Sequence, residues 1–277
     1  MPKPLVGLCQ MNVTNDKTAN FDQGKQLILE CKRRGACMAF LPEACDYIAS
    51  NRNESISLAE PMDMERGICS RYQNLARSEG MWLSLGGLHR KCEGDHPDKF
   101  RISHVIIDAN GNVQSVYDKC HLFSVDIPGK ITLKETDTAV PGQSIGHITD
   151  TPVGKIGSMV CYDMRFPQIS SELRRSGAEI LTYPSAFTVP TGHAHWEVLL
   201  RARAIENQCY VVAAAQVDRH NDKRVSFGHS LVVNPWGTIL ACAADRVGVI
   251  TTEIDLGFMR KLRTEMPVET HLRRDLY

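Results

Sequence analysis

No Cys-x-x-Cys pair occurs anywhere in this chain, although it holds ten cysteines. Zinc ribbons, zinc fingers and thioredoxin-type redox sites rest on such close pairs and are disfavoured. The cysteines are scattered through apolar runs, as at Cys9, Cys37, Cys209 and Cys242, in a chain too long to need disulfide staples. Reduced thiols in a cytosolic type of compartment are the expectation. Net charge is absent too: Lys plus Arg and Asp plus Glu number 32 each, and no basic run exceeds Lys32-Arg33-Arg34. A balanced chain has no whole-molecule field to draw in nucleic acid or an anionic membrane, so neither is expected as a partner. No apolar stretch approaches the ~20 residues that span a bilayer. The chain enters strand-like Leu5-Val6-Gly7-Leu8-Cys9 without a basic-then-apolar signal, which reads as a cytoplasmic protein. A mitochondrial form with a longer N-terminus would look the same. No linker rich in proline, glycine or serine interrupts the sequence, nor any repeat, so residues 1–277 read as one domain.

What is present is ordinary for a globular protein, at 23% charged and 43% hydrophobic residues, and excludes extensive disorder. Short apolar or β-branched runs at 5–13, 36–41, 81–88, 103–108, 113–117, 156–160, 178–183, 209–217, 230–233, 238–243 and 249–254 predict eleven strands. That is too many for one simple open sheet at this length, and two sheets are expected. Helices are expected at 18–34, 61–79, 166–176 and 194–207. The second carries Met64, Ile68, Tyr72, Leu75 and Ala76 on one stripe and stops at Gly80. Asn110-Gly111 between two strand runs predicts a hairpin with a type I′ turn.

The most informative stretch is Met159-Val160-Cys161-Tyr162-Asp163-Met164-Arg165, followed by Phe166-Pro167. An apolar strand-like run ends at a cysteine, and a proline then opens a helix, where its missing N–H costs nothing. A cysteine at such a turn has its sulfur at the open end of a sheet near a helix N-terminus, a setting that favours thiolate. Against this stands the commoner reading of a buried core thiol. Glu43 and Lys119 also follow strand-like runs, and ligands of alternating α/β chains gather beyond strand carboxyl ends. Each alone reads as a solvated loop charge. Together, carboxylate, ammonium and thiol form a chemical set: a base, an oxyanion stabiliser and a nucleophile.

These segments resemble the nitrilase superfamily of carbon–nitrogen hydrolases. The resemblance is carried by Phe40-Leu41-Pro42-Glu43, Tyr117-Asp118-Lys119 with His121-Leu122-Phe123, and Cys161-Tyr162-Asp163-Met164-Arg165-Phe166-Pro167. Tyr183-Pro184-Ser185-Ala186-Phe187 and His195-Trp196-Glu197, running into Arg201-Ala202-Arg203-Ala204-Ile205-Glu206-Asn207, add to it. Similarity to the Nit branch rests on Trp82-Leu83-Ser84-Leu85-Gly86-Gly87, Cys209-Tyr210-Val211-Val212-Ala213-Ala214-Ala215-Gln216 and Arg273-Arg274-Asp275-Leu276-Tyr277.

The resemblance implies an α/β fold, a four-layer α-β-β-α sandwich of two mixed sheets flanked by helices. It implies subunits paired through outer helices into a homodimer or homotetramer. It assigns catalytic roles to Glu43, Lys119 and Cys161, and makes Glu135 the carboxylate that positions the lysine. Thr136 where serine is common, Ser124-Val125-Asp126-Ile127-Pro128 and Gln168 are departures that remove no reacting group. The implied reaction is thioester-mediated hydrolysis of a small amide without metal or organic cofactor, with the Tyr162 N–H as oxyanion donor. Glu43, alternating as base and acid, is expected to titrate nearer neutrality than an exposed glutamate. The branch implies deaminated glutathione as substrate, cut to 2-oxoglutarate and cysteinylglycine, with 2-oxoglutaramate as the alternative. Arg165, Phe187, Thr188, His195 and Trp196 are the candidate substrate-binding residues. Arg165 also reads as a brace for Asp163 or a neighbouring carboxylate, and His195 and Trp196 equally as helix packing; Arg201, Arg203 and Glu206 read as an internal or interface ion-pair network rather than as substrate contacts. Fusion of the related domain to a histidine-triad (Fhit-type) domain in some animals makes such a protein a conceivable partner.

Overall fold

Alternation of side chains along the strands builds the fold. The computed structural model describes residues 3–63, 65–94, 96–127 and 131–276. Met64, Pro128 and Tyr277, each part of an expectation above, lie outside these residues. In strand Leu5–Gln10, Val6 and Leu8 face a second sheet, while Cys9 faces the opposite way, its sulfur 3.7 Å from that of Cys31 on an outer helix.

One six-stranded sheet runs, in spatial order, Gly248–Glu253, Leu5–Gln10, Met38–Glu43, Trp82–Lys91, Phe100–Ile107 and Val113–Asp118. The other runs Ile148–Thr151, Gly154–Ser158, Ile180–Thr182, Tyr210–Ala213, Leu231–Val233 and Ile239–Cys242. Both have the same pattern: an antiparallel edge, two parallel steps, then two antiparallel steps. Val6, Leu8, Met38 and Phe40 of the first sheet pack on Ile156, Ile180, Tyr210 and Val232 of the second. Each fully buried side chain of this size contributes about 1.5–3 kcal/mol. Helices Lys17–Arg33 and Gly67–Glu79 cover the outer face of the first sheet, and Pro167–Arg175 and Glu197–Asn207 that of the second. The result is the expected four layers, α-β-β-α.

All eleven expected strand regions carry strand, and the described residues add shorter pairs, Ser124–Ile127 with Ile131–Lys134 and Val217–Arg219 with Val225–Phe227. Two local expectations need correction. The helix predicted to start at 61 begins at Gly67, because Arg66 is extended and Gly67 has φ +86°; the Glu60 carboxylate then caps Ile68 N–H at 2.8 Å. At the Asn110-Gly111 hairpin only Gly111 has positive φ (81°), so the turn is not type I′. Instead the Asp108 carboxylate accepts from the Asn110 and Asn112 N–H groups, a side-chain-capped loop. Where the sheets approach the nucleophile turn, a Cβ at Gly86 would lie 2.1 Å from Pro184 Cβ and 2.3 Å from the Leu41 carbonyl oxygen. Only glycine permits that approach. No helix of the described residues is long and apolar enough to cross a membrane.

Candidate active site

Three strand ends deliver the reactive groups. Glu43 closes Met38–Glu43, and Gln216 locks the backbone there by donating to the Glu43 and Ala44 carbonyls at 2.9 and 3.3 Å. Lys119 directly follows Val113–Asp118, its N–H bonded to Ile102 O. Cys161 begins the short 3₁₀ helix Cys161–Arg165, and its N–H donates to Pro184 O at 2.9 Å. Its φ of +45° is the left-handed region, a conformation costing a non-glycine residue about 1–2 kcal/mol. That bend turns the sulfur back toward the other two strand ends.

The Lys119 ammonium is wholly buried and donates to Glu43 Oε1 at 2.8 Å and to Glu135 Oε1 and Oε2 at 3.0 and 2.9 Å. Its three protons are thus matched by three carboxylate contacts. Glu135, in the 3₁₀ turn Glu135–Asp137, also accepts from Phe123 N–H at 2.7 Å. The free oxygen of Glu43, Oε2, accepts from Ala186 N–H at 3.0 Å, and the Cys161 thiol donates toward the same carboxylate.

The electrostatics differ from two expectations. Burial pushes the Glu43 carboxyl up, but the Lys119 charge and hydrogen bond, the Cys161 thiol and the Arg224 charge outweigh it, and the carboxyl rests below the usual range. Burial, joined by the Glu43 charge, pushes the Cys161 thiol up; Lys119 and the Ala186 N–H only partly oppose this. The resting pair is therefore carboxylate and thiol, not thiolate. The helix opens at Pro167 as expected, but the 3₁₀ turn Cys161–Arg165 stands between its N-terminus and the sulfur. Lys119, despite burial, is held well above its ordinary value by Glu135 and Glu43.

Asp163, which the sequence reading left without a role of its own, ties the site together. Fully buried, it accepts from Tyr117 Oη at 2.8 Å, His121 N–H at 3.0 Å and Val160 N–H at 2.9 Å, and lies 2.7 Å from His121 Nδ1. One carboxylate thus staples the lysine loop to the nucleophile turn. Both segments stood out in the sequence, but nothing in their spacing linked them. Arg203 supports the same turn by donating to Met164 O at 3.0 Å, besides its 2.7 Å pair with Glu206; Arg201 pairs with Glu197 instead.

The candidate substrate-binding residues separate into two groups. Arg165, Tyr162, Phe187 and His195 form one cluster. The Arg165 guanidinium stands 5.8 and 5.7 Å from the Tyr162 and Phe187 ring centres and donates to His195 Nδ1 at 3.1 Å. Arg165 does not brace Asp163. Thr188 and Trp196 stand behind this cluster: the Thr188 hydroxyl is 2.8 Å from that of Thr191, and the buried Trp196 donates its indole N–H to His229 O at 2.8 Å. Trp196 packs against Phe187 with ring centres 5.0 Å apart, forming its backing wall. Cys161 itself is 9% exposed. Chemically, the arrangement joins a thiol, a carboxylate and a fixed positive charge, the kinds of group that acyl transfer can use.

Known proteins agree with this architecture. The human protein named deaminated glutathione amidase is 50% identical over 99% of this chain and 84% of its own length. The Dictyostelium discoideum protein of the same name is 42% identical over 98% of this chain and 94% of its own. The crystal structure of the Caenorhabditis elegans NitFhit protein superposes with a TM-score of 0.94 at 46% identity, covering 99% of this chain and 66% of that longer one. Residues 5–264 match the carbon–nitrogen hydrolase model. The span runs from strand Leu5–Gln10 into helix Leu256–Glu265, so the two sheets and every group described above fall inside it. This chain belongs to the carbon–nitrogen hydrolase family.

Proposed function

We propose that this chain is an amidase that hydrolyses deaminated glutathione to 2-oxoglutarate and cysteinylglycine through a thioester on Cys161. The observation that carries the reading is the buried thiol set against a carboxylate that is itself paired with an ammonium. The names of the relatives support the substrate.

The two proton affinities decide how the first step runs. Ordinary carboxyl and thiol groups already differ by about 4 pH units, or ~6 kcal/mol, and both displacements here widen that gap. A free thiolate is too costly as a resting species, so proton transfer to Glu43 accompanies attack of sulfur on the amide carbon. The oxyanion forms beside the Lys119 charge and the Tyr162 N–H, which lies in the first turn of its 3₁₀ helix, where N–H groups lack helical acceptors. Glu43 returns the proton to the departing amine as the C–N bond breaks. Water then adds to the thioester, its proton passing through Glu43 to the sulfur as the acid leaves. Glu135 and Asp163 position Lys119 and the nucleophile turn.

The test of the substrate is kcat/KM for deaminated glutathione against 2-oxoglutaramate. Deaminated glutathione is expected to lead by at least about tenfold; a lead for 2-oxoglutaramate makes the chain an ω-amidase. A second measurement tests the resting protonation state. Alkylation of Cys161 by iodoacetamide, followed by mass spectrometry of its peptide, is expected to stay slow through neutral pH and accelerate only above the ordinary thiol range. Over the same neutral range kcat/KM stays flat, because Glu43 remains ionised down past the usual carboxylate range. Fast alkylation at pH 7 sinks the concerted step.

The fusion chain supports a Fhit-type protein as a partner. Exposed Val198 and Ile205 on the outer helix, with exposed Trp236 in the strand turn whose Gly237 carbonyl accepts from Arg201 of that helix, support a homodimer or homotetramer built through that face.

A further inference from the structure

Among the described residues, Arg224 is the one arginine that is partly sheltered yet has no side-chain hydrogen bond or ion pair. Arg90, Arg101, Arg165, Arg174, Arg203 and Arg263 are sheltered too, and each donates to a carboxylate, carbonyl or imidazole. The other arginines without partners, at 66, 219 and 246, are exposed. A partly sheltered guanidinium without a partner is free to receive an anion.

The position of Arg224 is fixed from several sides. It lies at the tip of the hairpin formed by Val217–Arg219 and Val225–Phe227, where His220 N–H donates to Arg224 O at 3.0 Å. His220 Nδ1 reaches Val13 O at 2.8 Å, and Asn221 donates to Ala49 O at 3.2 Å, so the tip rests on the segments that follow Gln10 and Glu43. On the other side Phe227 N–H donates to Phe187 O at 2.9 Å, and Thr188 pairs with Ser226, next to the Ala186 amide that holds Glu43. The hairpin that carries Arg224 therefore borders the segments on both sides of Glu43, and the Arg224 charge is felt there as one of the influences lowering the Glu43 carboxyl. Glu43 must hand its proton to the departing amine, so a cation beside Glu43 lies on the leaving-group side of the scissile bond. Arg165 instead lies beside Tyr162, the residue after Cys161, and pairs with His195.

We propose that Arg224 is a specificity-determining residue that receives the carboxylate at the leaving-group end of the substrate, the glycine carboxylate of the cysteinylglycine half. This rests on the substrate reading given above. An extended dipeptide carries that carboxylate about 7 Å beyond the bond that is cut, which places it past Glu43, toward the hairpin tip. The geometry divides the labour: the Arg165 cluster serves the acyl half and Arg224 the amine half. An amide with ammonia as its leaving group has nothing for Arg224 to hold.

The experiment uses the full chain and three probes: deaminated glutathione, the same molecule with its glycine carboxylate converted to carboxamide, and 2-oxoglutaramate. For the unaltered chain, kcat/KM is expected to fall about 10- to 100-fold from the free acid to the carboxamide, the range for a charged hydrogen-bonded pair. Arg224→Gln is expected to abolish that difference, chiefly through KM, and Arg224→Lys to restore part of it. Any change that reaches the chemistry through Glu43 slows all three probes together and cancels in the ratio. The proposal is overturned if Arg224→Gln leaves the acid-to-carboxamide ratio intact, whether or not all rates fall. No turnover of deaminated glutathione by the unaltered chain overturns the substrate reading and this proposal with it. That failure is recognisable because it precedes any substitution.

Discussion

Cys161→Ala is expected to lower hydrolysis by at least about 10⁴-fold while leaving the protein folded. The size follows from the chemistry: without sulfur no thioester forms, and what remains is water attacking a bound amide beside Glu43 and Lys119. Loss of the nucleophile from a catalytic unit in other hydrolases removes up to about 10⁶ in turnover, with 10³–10⁴ over water surviving from the rest of the site. The neutrality for folding also has a cause. Alanine accepts the left-handed φ of +45° at the same cost as cysteine, and the Cys161 N–H still reaches Pro184 O. One sulfur is lost from a tightly enclosed spot, a change on the order of 1 kcal/mol. Initial rates with purified protein, alongside a thermal melt, provide the check. A variant that keeps even a few per cent of the rate with an unchanged melt removes Cys161 from the mechanism.

How far the sequence foretold this site depends on which physical relation each part obeys. The strands were readable because period-two alternation is written locally: Val6 and Leu8 against Cys9, or Phe40 against Leu41, declare two buried faces and hence two layers of cover. The set of Glu43, Lys119 and Cys161 was readable because each lies at or just beyond the end of a strand. The helix start at Gly67 was not, since it is set by a carboxylate from Glu60, outside the stripe that signals the helix. Asp163 was hidden for the same kind of reason. Its partners Tyr117 and His121 lie over 40 residues away, and only the folded chain shows that one carboxylate serves both segments. Protonation was the least legible. Expecting a thiolate at Cys161 and a near-neutral Glu43 follows from the turn and from burial alone, whereas the outcome is set by which charges share the enclosure. Arg224 gave no signal either, because an unpaired guanidinium is defined by what fails to meet it.

Replacing Lys119 by methionine is expected to damage both stability and catalysis. The methionine fills the space of a wholly buried side chain but leaves the Glu43 and Glu135 carboxylates facing each other without the cation that joins them. Breaking a buried pair by removing one partner costs about 3–5 kcal/mol, and losing one oxyanion stabiliser costs roughly 10²–10³ in turnover. The pH dependence separates this cause from mere misfit. In the unaltered chain the Glu43 carboxyl lies below its ordinary value, so its contribution is present above the usual carboxylate range and is lost as pH falls through the lowered value. In the variant two like charges share one enclosure, which raises at least one carboxyl above its ordinary value. Stability of the variant then rises as pH falls through that raised value, and the gap between the two proteins narrows toward acid. Urea midpoints measured at neutral pH and just above the carboxylate range read this directly. Adding Glu135→Gln to the variant relieves the repulsion, so the double variant is expected to regain most of the lost stability and none of the activity. That pairing keeps the test meaningful if Lys119→Met alone accumulates too poorly to study. A constant stability gap across pH, or a double variant no firmer than the single one, would mean that Lys119 fills space at this position and does not neutralise charge.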